Sequence, residues 1–133
     1  MNATRYEPDD PREWVRRARS NLAIAQAMPA GACLEDLCFE LQQAVEKAVK
    51  ALLISKQVEF PYTHDLARLV ALLVDVVAGV PQSLKDAERL TPYASFSRYP
   101  YRGEPVTEQE YQEALAVTEA VVRWAEERIL GNA

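Results

Sequence analysis

Lys47 and Lys50 would stand one turn apart on a helix and could present two cations to a phosphate group. Glu46 and Lys50 also have the i, i+4 order that supports a helix, so charge balance is the competing reading. The single histidine, His64, falls at a helix start, where free backbone N–H groups and the helix dipole favour an anion. His64 with the amides of Asp65 and Leu66 could meet a phosphate there. Equally, the imidazole could hydrogen-bond within its loop or across to the preceding helix. Arg98-Tyr99-Pro100 offers a planar guanidinium fork and a stacking ring. The alternative is that Arg98 pairs with an acidic residue such as Glu46 and pins its loop. Gln42 and Gln43 would line a nucleobase site or hydrogen-bond between helices, the second being favoured because covered amides need partners.

Other chemistry has little support. The chain has no Gly-rich phosphate loop, no His, Cys and Asp cluster at metal-ligand spacing and no nucleophile beside a base. No metal, cofactor or catalytic set is expected. Cys33 and Cys38 would face different sides of one helix, so they read as small buried side chains rather than a disulfide.

With 133 residues, 49% hydrophobic and 26% charged, the chain fits one globular domain with one core. A net charge of -5 argues against bulk attraction to nucleic acid or an anionic membrane. No charged leader opens the chain and no apolar run is long enough for a bilayer, so a cytoplasmic protein is expected.

The elements that must position these residues are helices. Residues 1–9 form an irregular arm. Asp10 then caps a helix with Pro11 at its first position and Glu13 closing a capping box. Trp14, Val15, Ala18, Leu22, Ala25 and Met28 form its buried side, with Trp14 and Trp124 both assigned to the core; Pro29 and Gly31 end the helix. The second helix, to about Lys56, carries an apolar stripe of Leu34, Leu37, Cys38, Leu41, Val45, Ala48, Val49 and Leu52. Beside it runs a second stripe of Phe39, Gln42, Gln43, Glu46, Lys47 and Lys50. Its mixture suits a surface covered by another helix, another subunit or a ligand, and Phe39, Gln42, Gln43 and Glu46 are candidate interface residues.

Thr63 is placed as the cap of a third helix with Leu66, Leu69, Val70, Leu73 and Val77 inside, stopped by Gly79 and Pro81. A short helix from Ser83 ends at Thr91-Pro92. Residues 93–105 read as an aromatic loop packed on the protein. Thr107 and Glu110 form a capping box for the last helix, whose inner face is Tyr111, Leu115, Thr118, Val122, Ala125 and Ile129, closed by Gly131. The fold class is all-α, an up-and-down bundle of four main helices plus a short one.

Several of these residues form a pattern: Trp14, then Cys38-Phe39 with Gln42-Gln43-Ala44-Val45-Glu46-Lys47-Ala48-Val49-Lys50-Ala51-Leu52, then Thr63-His64-Asp65-Leu66, Leu90-Thr91 and Arg98-Tyr99-Pro100. Over about Asp10 to Leu130 the chain resembles the HEPN domain family. The resemblance implies an all-α bundle that usually dimerises. Prokaryotic members often sit beside a minimal nucleotidyltransferase (MNT) in toxin–antitoxin-like pairs. Many members are metal-independent ribonucleases, and others bind nucleotides without cutting RNA. The ribonuclease branch carries an arginine separated from a histidine by four to six intervening residues. Gln57, Val58 and Glu59 stand at those positions before His64, and the nearest cation is Lys56. With the resemblance pointing to an MNT partner, the reading is a nucleotide- or phosphate-binding component, and the clustering of cations with a helix start and an aromatic ring places Lys47, Lys50, His64, Arg98 and Tyr99 at the site. An unorthodox ribonuclease using His64 and Arg98, or a structural dimerisation module, are the alternatives.

Overall fold

A computed structural model describes residues 5–97 and 103–131. Five α-helices follow in order: α1 (Pro11–Ala27), α2 (Leu34–Ser55), α3 (Leu66–Val74), α4 (Gln82–Asp86) and α5 (Glu108–Leu130). A 3₁₀ segment, Ala87–Ser97, follows α4 directly. No strand occurs among the described residues. The all-α bundle expected from the periodicity is the observed fold.

Helix α2 is its centre. α1, α3, α5 and the 3₁₀ segment all pack on it, because it is apolar over more than one stripe and so must be covered nearly all round. Leu37, Cys38, Leu41, Val45, Ala48, Val49 and Leu52 are buried as the spacing predicts, while Leu34 is half-buried. Ala44, Ala51 and Leu53 are buried on other sides of the same helix. Cys33 departs from expectation: it is the exposed N-cap of α2, and only Cys38 is inside. Burial, more than the nearby charges of Glu35 and Glu110, pushes the Cys38 thiol up to about 12, so it behaves as an apolar side chain.

In α1, Asp10 caps the helix by accepting from the Arg12 amide at 2.9 Å, with Pro11 behind it. The expected capping box does not close. The Glu13 carboxylate instead accepts from the Tyr6 amide at 3.0 Å and from Arg16 at 2.7 Å. These bonds, with the Arg16 hydrogen bond foremost, hold Glu13 down to about 2. Val15, Ala18, Leu22 and Ala25 are buried, but Trp14 is only partly so and Met28 is exposed in a left-handed C-cap. Trp124 on α5 is likewise half-covered. The indole N–H of Trp14 explains its place: it donates to the Pro8 carbonyl at 2.7 Å, a bond an apolar core could not supply.

The α3 cap shifts from expectation. Asp65 is the N-cap, accepting from the Ala67 amide, and Thr63 supports it by accepting from the Asp65 amide, both at 3.1 Å. α3 stops at Val74, although Val77 is still buried just beyond it. The 3₁₀ segment extends past Pro92 through residues placed in the aromatic loop. Pro92 lacks the N–H a continuing α-helix would need. Thr91 in that segment accepts from the Leu66 amide at 3.1 Å, satisfying one of α3's free donors.

The capping box of α5 is present as expected: Thr107 accepts from the Glu110 amide at 3.0 Å and Glu110 from the Thr107 amide at 2.9 Å. Thr107→Ala is expected to cost about 1 kcal/mol, read as a lowered midpoint in urea unfolding at constant slope. Gly131 closes the helix at φ 71, in the left-handed region glycine enters at little cost. On the inner face Tyr111, Thr118, Val122 and Ala125 are buried as expected, joined by Ala114 and Val121. Leu115 and Ile129 are only partly covered.

Candidate functional site

The second stripe of α2 is covered by the chain itself. Gln42, Glu46 and Lys50 are buried at 0%, 5% and 7% exposure. Lys50 Nζ donates to Glu46 Oε2 at 2.8 Å, and Gln42 Nε2 donates to Oε1 at 2.9 Å. Gln43 Nε2 in turn donates to Gln42 Oε1 at 2.7 Å. His64 Nδ1 lies 2.9 Å from Glu46 Oε1. An ionised carboxylate only accepts, so Nδ1 carries the proton and Nε2 is the acceptor of the neutral ring. The His64 side chain keeps 42% of its exposure, with exposed Tyr62 edge-on at 5.7 Å. Lys50 also lies 5.5 Å from the Phe60 ring. Burial raises the Glu46 carboxyl, but the hydrogen bonds from Lys50, Gln42 and His64 outweigh it and hold it below its usual value.

This network joins Gln42, Gln43, Glu46, Lys50 and His64, five of the residues singled out by type and spacing. It also docks the segment 60–64 on α2. Its electrostatics sort the cations. Lys50 is already balanced by a buried carboxylate, so an incoming anion would compete with Glu46.

Lys47 is different. Its Nζ donates at 2.7 Å to Asn21 Oδ1, a neutral oxygen, while Asn21 Nδ2 donates to Glu40 Oε1 at 2.6 Å. Burial first, and the charge of Arg17 second, push the Lys47 ammonium down from its usual value. An anion beside it would offset both effects. Lys47 opens on a cleft of 580 Å³ between α1 and the N-terminal arm, lined also by Arg5, Tyr6, Trp14 and Arg17. Neither Arg5, Tyr6, Arg17 nor the wall formed by Trp14 was evident from the sequence. Trp14 reads as core by period alone, and an arm without periodicity says nothing of where it packs.

Phe39 is partly buried, at the edge of the same stripe. Arg98 and Tyr99 lie outside the described residues. No group of three or more His, Cys, Asp or Glu side chains among the described residues could hold a metal ion.

Comparison with known proteins agrees with the bundle. The HEPN domain family matches residues 11–129. A crystal structure of an archaeal HEPN homologue superposes with a TM-score of 0.69 at 27% identity, over 90% of this chain and 98% of that one. A crystal structure of a protein from Thermus thermophilus gives 0.74 at 31% identity, over 89% and 97%. No curated protein matches. The helices and their order define an all-α bundle of this kind. The chain belongs to the HEPN domain family.

Proposed function

We propose that this chain is the binding component of a two-gene HEPN and minimal nucleotidyltransferase pair in the cytoplasm, and that it holds the phosphate group of a nucleotide. The observation that carries the reading is Lys47: a partly desolvated ammonium bonded to a neutral amide and opening on a cleft that Arg5 and Arg17 line together with Glu7 and Glu13. Lys50 and His64, joined to each other through Glu46, and Arg98 and Tyr99 are further candidates for the same ligand. The chain works as a homodimer, with Phe39 and Gln43 at the interface edge of α2 and Gln42 and Glu46 beneath them. Among the described residues no helix is long and apolar enough to cross a membrane.

Calorimetric titration with AMP, ADP and ATP, with and without the nucleotidyltransferase, tests the reading. Lys47→Ala is expected to weaken nucleotide binding by about tenfold or more, as loss of a charge-assisted hydrogen bond does. Absence of heat with every nucleotide, alone and with the partner, would overturn it.

The Glu46–His64 contact favours one second reading, an unorthodox ribonuclease. A carboxylate on Nδ1 fixes the tautomer that makes Nε2 a base. RNA cleavage that persists unchanged in His64→Ala would eliminate that role.

A further inference from the structure

We propose that Lys47 is a site of covalent acylation, and that its reagent is an acyl phosphate whose phosphate group is held by Arg5 and Arg17. The proposal goes beyond the binding reading above: Lys47 acts as a nucleophile, and no nucleotide takes part.

The four lysines of the chain stand in different surroundings. Lys56 and Lys85 are in solvent. Lys50 is buried with Nζ 2.8 Å from Glu46 Oε2, and a carboxylate holds an amine in its charged, unreactive form. Lys47 is half-buried, borders a cleft and donates to an uncharged oxygen, Asn21 Oδ1 at 2.7 Å. That amide is oriented from its other end, because Asn21 Nδ2 donates to Glu40 Oε1 at 2.6 Å. An amide oxygen accepts from an ammonium and from a neutral amine alike, so Lys47 keeps its place when its proton leaves. Burial first, with Arg17 and Lys50 adding to it, favours that loss, and Glu40 and Glu46 oppose it without reversing it.

The cleft supplies a place for the reagent. Arg5 and Arg17 line it together with Lys47. Of the two acids in the lining, Glu13 is already engaged by Arg16 at 2.7 Å and by the Tyr6 amide at 3.0 Å, which leaves Glu7 against two guanidinium groups. Arg17 is 58% exposed and 3.9 Å from Glu13, so it can turn to a ligand at little cost. Trp14 and Pro8, joined by the indole bond to the Pro8 carbonyl at 2.7 Å, give an acyl chain an apolar wall.

In the reaction the neutral Lys47 amine attacks the carbonyl carbon of the acyl phosphate. The N–C bond forms, the C–O bond to the phosphate breaks, and its electron pair leaves with the phosphate. The surplus proton on nitrogen passes to water. Arg5 and Arg17 meet the charge that develops on the leaving phosphate, and this separates an acyl phosphate from an uncharged acyl donor. The product is a neutral amide at Lys47. Acylation thereby switches off phosphate binding, a consequence that alone rests on the reading above.

The test is incubation of the natural chain with acetyl phosphate, followed by peptide mass mapping of all four lysines over time. Lys47 is expected to acetylate about tenfold faster than Lys56 and Lys85, and Lys50 to remain unmodified. N-hydroxysuccinimidyl acetate, an acyl donor without phosphate, is the control reagent. Arg17→Ala is expected to slow the acetyl phosphate reaction at Lys47 about tenfold more than the control reaction. Asn21→Asp places a carboxylate on the ammonium and is expected to slow both about tenfold. Lys47 reacting no faster than Lys56 and Lys85 overturns the proposal. Equal slowing by Arg17→Ala with both reagents overturns the phosphate site, and unchanged rates in Asn21→Asp overturn the role of the neutral partner. These rates are read without any nucleotide, so their failure is distinct from failure of the binding reading. Calorimetry with AMP before and after acetylation tests the switch: the heat is expected to vanish. Unchanged heat overturns the switch, and no heat in either sample ends the switch and the binding reading together while the acylation site stands.

Discussion

Glu46→Gln is expected to lower the unfolding free energy by about 3 kcal/mol, the scale on which a buried ion pair fails when one partner is removed. The carboxylate accepts from Lys50, Gln42 and His64 at once, and the first two of these donors are themselves buried. An amide keeps the volume but leaves the Lys50 ammonium without a counter-ion at 7% exposure. The double variant Glu46→Leu with Lys50→Met removes both charges and is expected to recover most of the loss, because a buried pair adds little over a well-packed apolar pair. Urea unfolding of the natural chain, Glu46→Leu, Lys50→Met and the double variant measures the coupling. Equal losses in the single and double variants would show that the pair contributes through packing and not through charge.

The same carboxyl sets a pH dependence with a definite sign. Its value in the folded chain is lowered. Its contribution is therefore complete above the carboxyl value of the unfolded chain and disappears as pH falls through the lower folded value. The natural chain should lose stability on acidification more steeply than Glu46→Gln, and the gap between them should narrow toward low pH. Parallel curves would show that Glu46 does not titrate differently in the two states.

Tyr111→Ala is expected to cost about 4 kcal/mol, in the range of large aromatic truncations in a core. Tyr111 is among the largest fully buried side chains, at 0% exposure, and its hydroxyl donates to the Ala25 carbonyl at 2.8 Å. That carbonyl also accepts from the Met28 amide at 3.3 Å, so one oxygen anchors both the end of α1 and the first turns of α5. Tyr111→Phe keeps the ring and removes only the hydroxyl, and should cost about 1 kcal/mol. Thermal or urea unfolding of the two variants separates ring packing from the hydrogen bond. Equal losses would mean that the bond, and not the volume, carries the position.

Local sequence determined the elements whose causes are themselves local. Pro11 behind Asp10, Thr107 with Glu110 and glycine at 131 mark helix ends because capping bonds span only a few residues. The apolar period of α2 marked its inner stripe, but that Ala44, Ala51 and Leu53 are covered on other sides, which makes it the central helix, was decided by what packs around it. Glu13 shows where this reasoning stops. Its spacing from Asp10 suits a capping box, but the arm offers the Tyr6 amide, and a donor brought from outside the helix won. Only tertiary structure decided the fate of the charges on α2. Lys47 and Lys50 look alike in sequence, and their difference is that a carboxylate faces one and a neutral amide from α1 faces the other. Trp14 and Tyr6 acquire a common cleft for the same reason. Which groups meet across helices depends on packing between segments far apart in the chain, and no periodicity within one segment carries that information.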